Sequence, residues 1–188
     1  MQKAQIREIE VKAKVANFGD VMKRLQSLGC KLSQPIKQED TIYFPKGIGP
    51  EDFKKGVNAL RIRKEGDKII LNIKQRQEVS LAAIEKEVEI ADAKAMEEIL
   101  FLLGFYTFIK MSKIRRSCHY KDYEICLDQI NDLGNFIEVE KMSAEPGEKV
   151  QEELFQFLES LGIKREARAT RGYDVLLYQK LHNSHLTR

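Results

Sequence analysis

Three times in this chain two glutamates stand one residue apart inside a strand-forming stretch: Glu8 and Glu10 in EIEVK, Glu87 and Glu89 in EKEVEI, Glu138 and Glu140 in FIEVEK. Side chains alternate along a strand, so each pair places both carboxylates on one face and its apolar neighbours on the other. In the first stretch Glu8, Glu10 and Lys12 therefore oppose Ile9, Val11 and Ala13. Each pair is followed by a run with helical spacing that ends at a glycine. The runs carry Phe18, Val21, Met22, Leu25 and Leu28 before Gly29, then Ala95, Met96, Ile99, Leu100 and Leu103 before Gly104, then Val150, Leu154, Phe157, Leu158 and Leu161 before Gly162. An approximate unit of strand, helix and glycine thus recurs, either an internal duplication or one packing problem solved three times.

Between these units lie short alternating stretches rich in β-branched and aromatic residues: DTIYF (40–44), NALRIRKE (58–65), KIILNIKQR (68–76), KIRRSCHY (113–120) and YEICLDQI (123–130). Eight or so strands and three helices, with turns at GIGP, EGD, KD and NDLGN, predict an α+β fold with a largely antiparallel sheet. At 188 residues and 43% hydrophobic content one domain can bury its own core. We expect it to span 1–180, with a tail over 181–188.

Composition narrows the partners. Lys and Arg number 32 against 29 Asp and Glu, a formal net charge of +3, too small for a general nucleic-acid or membrane-surface binder. No extended nucleic acid is expected as partner. Cys30, Cys118 and Cys126 form no CxxC pair, and His119, His182 and His185 lack metal-ligand spacing. The opening MQKAQIREIE has no apolar signal-peptide core and no run is long enough to span a membrane, so a cytoplasmic protein is expected. GIGPEDFKKG lacks the Gly-Lys-Ser/Thr of a P-loop and reads as a loop over the site.

An ordinary wet sheet face mixes its polar residues without order. Here the signs segregate: carboxylate pairs lie on some strands, while Arg61 with Arg63, Lys74 with Arg76, and Lys113 with Arg115 share faces on others. Eight antiparallel strands can close into a barrel, and a lumen lined by both signs would be costly if dry and unpaired. A polyanion with hard cations resolves this, because arginine and lysine hold phosphate oxygens while carboxylates hold Mg²⁺.

On these residues the chain resembles the CYTH or triphosphate tunnel family, which includes class IV adenylyl cyclases, thiamine triphosphatases and inorganic triphosphatases. The Glu-x-Glu-x-Lys strand is matched by Glu8, Glu10 and Lys12. The likeness continues in order through QEDTIYF, LRIR, IKQ, EKEVEI, KIR, LDQINDLGNFIEVE and RGYDVLL, nearly the whole chain, and is strongest to the class IV (CyaB-like) cyclases. It implies a closed eight-stranded antiparallel β-barrel, a tunnel flanked by helices, acting on a small-molecule triphosphate with Mg²⁺ or Mn²⁺. It also admits a homodimer.

Carried over by position, the resemblance makes Glu8, Glu10, Glu138 and Glu140 metal carboxylates, with Asp128 a further metal or water-positioning acid. Lys12, Arg61, Arg63, Lys74, Lys113 and Arg115 become a phosphate cradle. Lys12, Asp128, Lys113 and Arg115 are the catalytic candidates, and Glu87 and Glu89 play a supporting part. Three departures stand out: Gln2 and Lys3 replace a His-Phe pair of enteric cyclases, Arg171-Gly172-Tyr173 replaces the Arg-Ser-Tyr of the family's C-terminal strand, and Glu85 stands where an arginine is common. The implied activity is cyclisation of ATP to cyclic AMP and pyrophosphate. The alternatives are hydrolysis of tripolyphosphate, thiamine triphosphate or a nucleoside triphosphate, and non-catalytic polyphosphate binding.

Overall fold

The structure, a computed structural model, describes residues 5–52, 54–77, 79 and 81–183. Its strands are β1 (Arg7–Val15), β2 (Ile36–Pro45), β3 (Asn58–Glu65), β4 (Lys68–Arg76), β5 (Ala82–Glu89), β6 (Phe105–Tyr120), β7 (Tyr123–Ile130), β8 (Gly134–Ser143) and a short β9 (Arg168–Ala169). The helices are α1 (Gly19–Ser27), α2 (Ala93–Leu102), α3 (Gly147–Ser160) and α4 (Tyr173–Asn183).

The strands run in the order β5-β4-β3-β2-β6-β7-β8-β1, and β5 returns to pair with β1, closing an eight-stranded antiparallel barrel. Closure is shared along one edge of β1. Strand β5 pairs with Glu8 and Ile9, and β9 takes over at Lys12 and Ala13. Closing the sheet removes its free edges and turns the charged face, which alternation had only placed on one side, inward.

The outward apolar face is covered by helices. Ile9, Val11, Ala13, Ile125, Leu127, Ile137 and Val139 pack with Val21 and Leu25 of α1 and with Val150, Leu154, Phe155 and Leu158 of α3. Tyr43, Leu60 and Ile62 meet Leu100 of α2. The three glycines read as helix stops, Gly29, Gly104 and Gly162, have φ of 83°, 85° and 77°, a left-handed conformation that a β-carbon would strain.

Two expectations needed correction. The α2 stripe is only partly buried: Leu100 is covered and Met96 packs beside it, but Ile99, Phe101, Leu102 and Leu103 are exposed, because a ten-residue helix meets the barrel along one line. The residues around Tyr173 form a fourth helix, not a strand. In α4, Leu177 packs with Ile42, Phe44, Ala59 and Ile109, and Tyr173 packs with Ile130 and Phe136. Those partners continue the inward-facing rows of their strands, so α4 caps one end of the barrel. A bulge between Ile42 and Tyr43 leaves Phe108 as the extra residue of β6. Phe108 stacks at 4.4 Å on Phe44 and at 4.9 Å on Tyr178 of α4.

Helix α4 runs on to Asn183, so residues 181–183 of the expected tail are helical, and 184–188 lie outside the described residues, as do Gln2 and Lys3. Among the described residues no helix is long and apolar enough to cross a membrane.

Candidate functional site in the barrel lumen

The barrel encloses a cavity of about 880 Å³ lined by Glu8, Glu10, Lys12, Arg61, Arg63, Lys74, Glu87, Lys113, Arg115, Glu138 and Glu140. Thus every residue assigned from sequence to the phosphate cradle, and four of the five metal candidates, face one space. Asp128 and Glu89 are not among the lining residues. Asp128 is completely buried, with its carboxylate taken by Lys113 (3.3 Å) and by both arms of Arg115 (2.7 and 2.6 Å). Glu89 shares the inward row of β5 but lies beyond the rim, exposed and 3.9 Å from Lys68.

Across the lumen most of the charges are paired with opposite ones. Lys12 binds Glu10 at 2.8 Å and also Glu138, and Arg115 reaches Glu138 at 3.0 Å. Burial would raise the Glu138 pKa, but Lys12 and Arg115 hold that carboxyl well below its ordinary value. Lys74 contacts Glu85 at 2.5 Å, Glu8 at 3.2 Å and Glu10 at 3.6 Å. Arg63 forks onto Asp40 at 2.8 and 2.9 Å. Burial opposes ionisation of Asp40, yet these bonds and the charges of Arg61 and Arg63 keep its pKa down at about 2.

Several lumen groups are left without a partner among the described residues, the Gln38 Oε1 and the Tyr173 hydroxyl among them. Arg61 has a buried Nε without a hydrogen-bond partner among the described residues. Glu140 stands opposite Glu10 on the β1–β8 ladder, and no cation within the described residues pairs with it. Carboxylate oxygens of Glu8, Glu10 and Glu140 come within 4.8 Å of one another. Burial, the Glu138 hydrogen bond and the charges of Glu138, Glu8 and Glu10 push Glu140 well above the usual range. Burial, against Lys74 but with Glu85 and Glu10, lifts Glu8 to about 7. Three hard oxygen donors crowded together suit a divalent cation such as Mg²⁺ or Mn²⁺.

The lumen contains residues that sequence reasoning left unassigned. Gln38 and Asp40 share the inward row of β2 with Ile42 and could have been found from that pattern. Asn72 binds Glu85 at 3.1 Å. Tyr173 reaches in from α4. At the rim away from α4, Ile36 and Met142 line the cavity and are exposed, 41% and 61%.

The CYTH domain pattern matches residues 7–173. A protein of Methanocaldococcus jannaschii, provisionally named an adenylate cyclase, is 34% identical over 170 residues, covering 88% of this chain and 95% of its own. A structure from Pyrococcus horikoshii superposes with a TM-score of 0.76 at 26% identity, covering 92% of this chain and 99% of that one. A Hippeastrum protein, provisionally an adenylyl cyclase and described as having a dominant triphosphatase activity, shares the fold at TM-score 0.59 and 19% identity, over 89% and 91% of the two chains.

Proposed function

The chain belongs to the CYTH domain family, and from that premise we propose that it is a metal-dependent enzyme converting ATP to cyclic AMP and pyrophosphate inside the barrel. The observation that carries a triphosphate reading is one lumen holding both a carboxylate cluster, Glu8, Glu10 and Glu140, with Lys74 against it, and a cationic wall of Arg61, Arg63, Lys113 and Arg115. The name of the 34% identical relative supports the choice of ATP. So do Ile36 and Met142, an apolar surface at the open rim suited to the organic part of a substrate.

In this reading a divalent cation held by Glu8, Glu10 and Glu140 would neutralise phosphate charge as the bond to phosphorus changes hands. The protein's own residues do the rest. Arg61, with an uncommitted Nε, takes a phosphate oxygen directly. Arg63 and Arg115 are held in place by the bidentate bonds to Asp40 and Asp128, so their charges meet the triphosphate without reorganising. Asp128 acts here by orienting Lys113 and Arg115, and Glu138 by orienting Lys12 and Arg115. The 3′-hydroxyl oxygen attacks the α-phosphorus and releases its proton to water. The bond from that phosphorus to the oxygen bridging to the β-phosphate breaks, and the departing pyrophosphate stays against Lys113, Arg115 and Lys12. Glu87, exposed at the rim, serves at the entrance.

Hydrolysis is the second reading. It draws on the activity described for the Hippeastrum protein and on Gln2 and Lys3 in place of the His-Phe pair. Incubation with Mn²⁺ and ATP, thiamine triphosphate or tripolyphosphate in separate reactions, followed by chromatography, tests both. Cyclic AMP with pyrophosphate supports cyclisation; orthophosphate from tripolyphosphate without cyclic AMP replaces it with hydrolysis.

A further inference from the structure

Tyr173, the first residue of α4, is only 6% exposed, lines the cavity, and plays no part in the metal cluster or the arginine wall described above. Its ring is fixed on three sides. Phe136 meets it edge-on at 5.2 Å, and the ammonium groups of Lys12 and Lys113 lie 4.7 and 5.4 Å from its centroid. Its hydroxyl is buried and makes no hydrogen bond among the described residues. A buried hydroxyl without a partner is costly, and such groups in native proteins are nearly always satisfied.

The missing partner must accept a hydrogen bond. Burial and the carboxylates of Glu138 and Asp128 push the phenol well above its ordinary pKa, so it remains a donor at neutral pH. The nearby carboxylates are already engaged: Asp128 by Lys113 and Arg115, Glu138 by Lys12 and Arg115. Lys113 has three donors and a single described acceptor, Asp128. A donor hydroxyl and an under-used ammonium at the capped end of the lumen call for an anionic oxygen from outside the protein.

We propose that Tyr173 is a substrate ligand, its hydroxyl donating a hydrogen bond to a phosphate oxygen at the α4 end of the lumen while its ring seats Lys12 and Lys113. This rests on the triphosphate reading above. It also gives the substrate a direction, with phosphates toward α4 and the organic part toward Ile36 and Met142.

The test is Tyr173→Phe, which keeps the ring, its packing and both cation contacts but deletes the hydroxyl. Binding of tripolyphosphate in the presence of Mg²⁺ is measured by titration calorimetry for wild type and variant, with thermal unfolding of each in ligand-free buffer. The variant should bind at least about tenfold more weakly, the scale of one hydrogen bond to a charged group. Its ligand-free Tm should equal or exceed that of wild type, because an unsatisfied group has been removed. Equal affinity in the two proteins overturns this inference and leaves the triphosphate reading intact. Failure of the wild type itself to bind tripolyphosphate overturns both.

Discussion

Glu10 and Glu140 stand directly opposite one another on β1 and β8, two carboxylates as cross-strand partners inside a closed barrel. Like charges so placed repel. Lys12 and Lys74 attend Glu10, yet among the described residues no cation attends Glu140. Replacing Glu140 by Gln should therefore leave the Tm in chelator unchanged or higher while abolishing the rise in Tm that Mn²⁺ gives the wild type. A lower Tm in chelator with the Mn²⁺ rise retained would place the cation elsewhere.

Arg61 and Arg63 are neighbours in the same row but should answer differently to alanine. Arg63 satisfies buried Asp40 through two bonds, and removing it strands a charge, which costs on the order of 3 kcal/mol and lowers Tm by roughly 6–12 °C in a chain of this size. Arg61→Ala should leave Tm nearly unchanged and weaken tripolyphosphate binding by about tenfold or more. Calorimetry and thermal unfolding on both variants decide it, and the reverse pattern would refute the assignment.

Acid unfolding examines the same pair. Asp40 is depressed to about 2 in the folded state, against an unfolded carboxyl near 3.9. Its stabilisation is complete above the unfolded value and is lost as pH falls through the folded one. Wild-type Tm should thus drop between pH 4 and 2 more steeply than that of Asp40→Asn, and parallel curves would contradict the Asp40–Arg63 account.

Lys113 behaves unlike Lys12 and Lys74. Burial and the adjacent Arg115, outweighing Asp128, bring it down to about 8, whereas the other two are raised. The cradle therefore loses a positive charge as pH rises through 8, and tripolyphosphate affinity should fall between pH 7 and 9. In Lys113→Arg, whose charge does not titrate there, the fall should be smaller. Identical pH dependence in the two proteins would show that Lys113 does not touch the phosphates.

Alternation was the most legible signal in the sequence, because a period of two maps directly onto the two faces of a strand. It brought Glu8, Glu10, Arg61, Arg63, Lys74, Glu138 and Glu140 correctly into one cavity. It cannot say which carboxylate meets which cation, since that depends on partners across strands. Glu138 and Glu140 look alike in sequence, yet one is claimed by Lys12 and Arg115 while the other faces Glu8 and Glu10. The start of helix α4 was missed because the strand at Arg171-Gly172-Tyr173 came from the family resemblance alone, and the burial of Tyr173, Val175 and Leu177 at every second position offers no helical stripe to set against it. A helix inserted into a barrel end is surrounded on several sides and needs no single apolar stripe.

The account turns on a cation seated by Glu8, Glu10 and Glu140 beside the arginine wall. A crystal of the protein grown with Mn²⁺ and tripolyphosphate, measured at a wavelength where manganese scatters anomalously, locates that ion directly. The account predicts an anomalous peak inside the barrel bonded to oxygens of those three glutamates and to a phosphate that also contacts Arg61. A peak held by Asp128, or one outside the lumen with the three glutamates still facing each other unbridged, would contradict it.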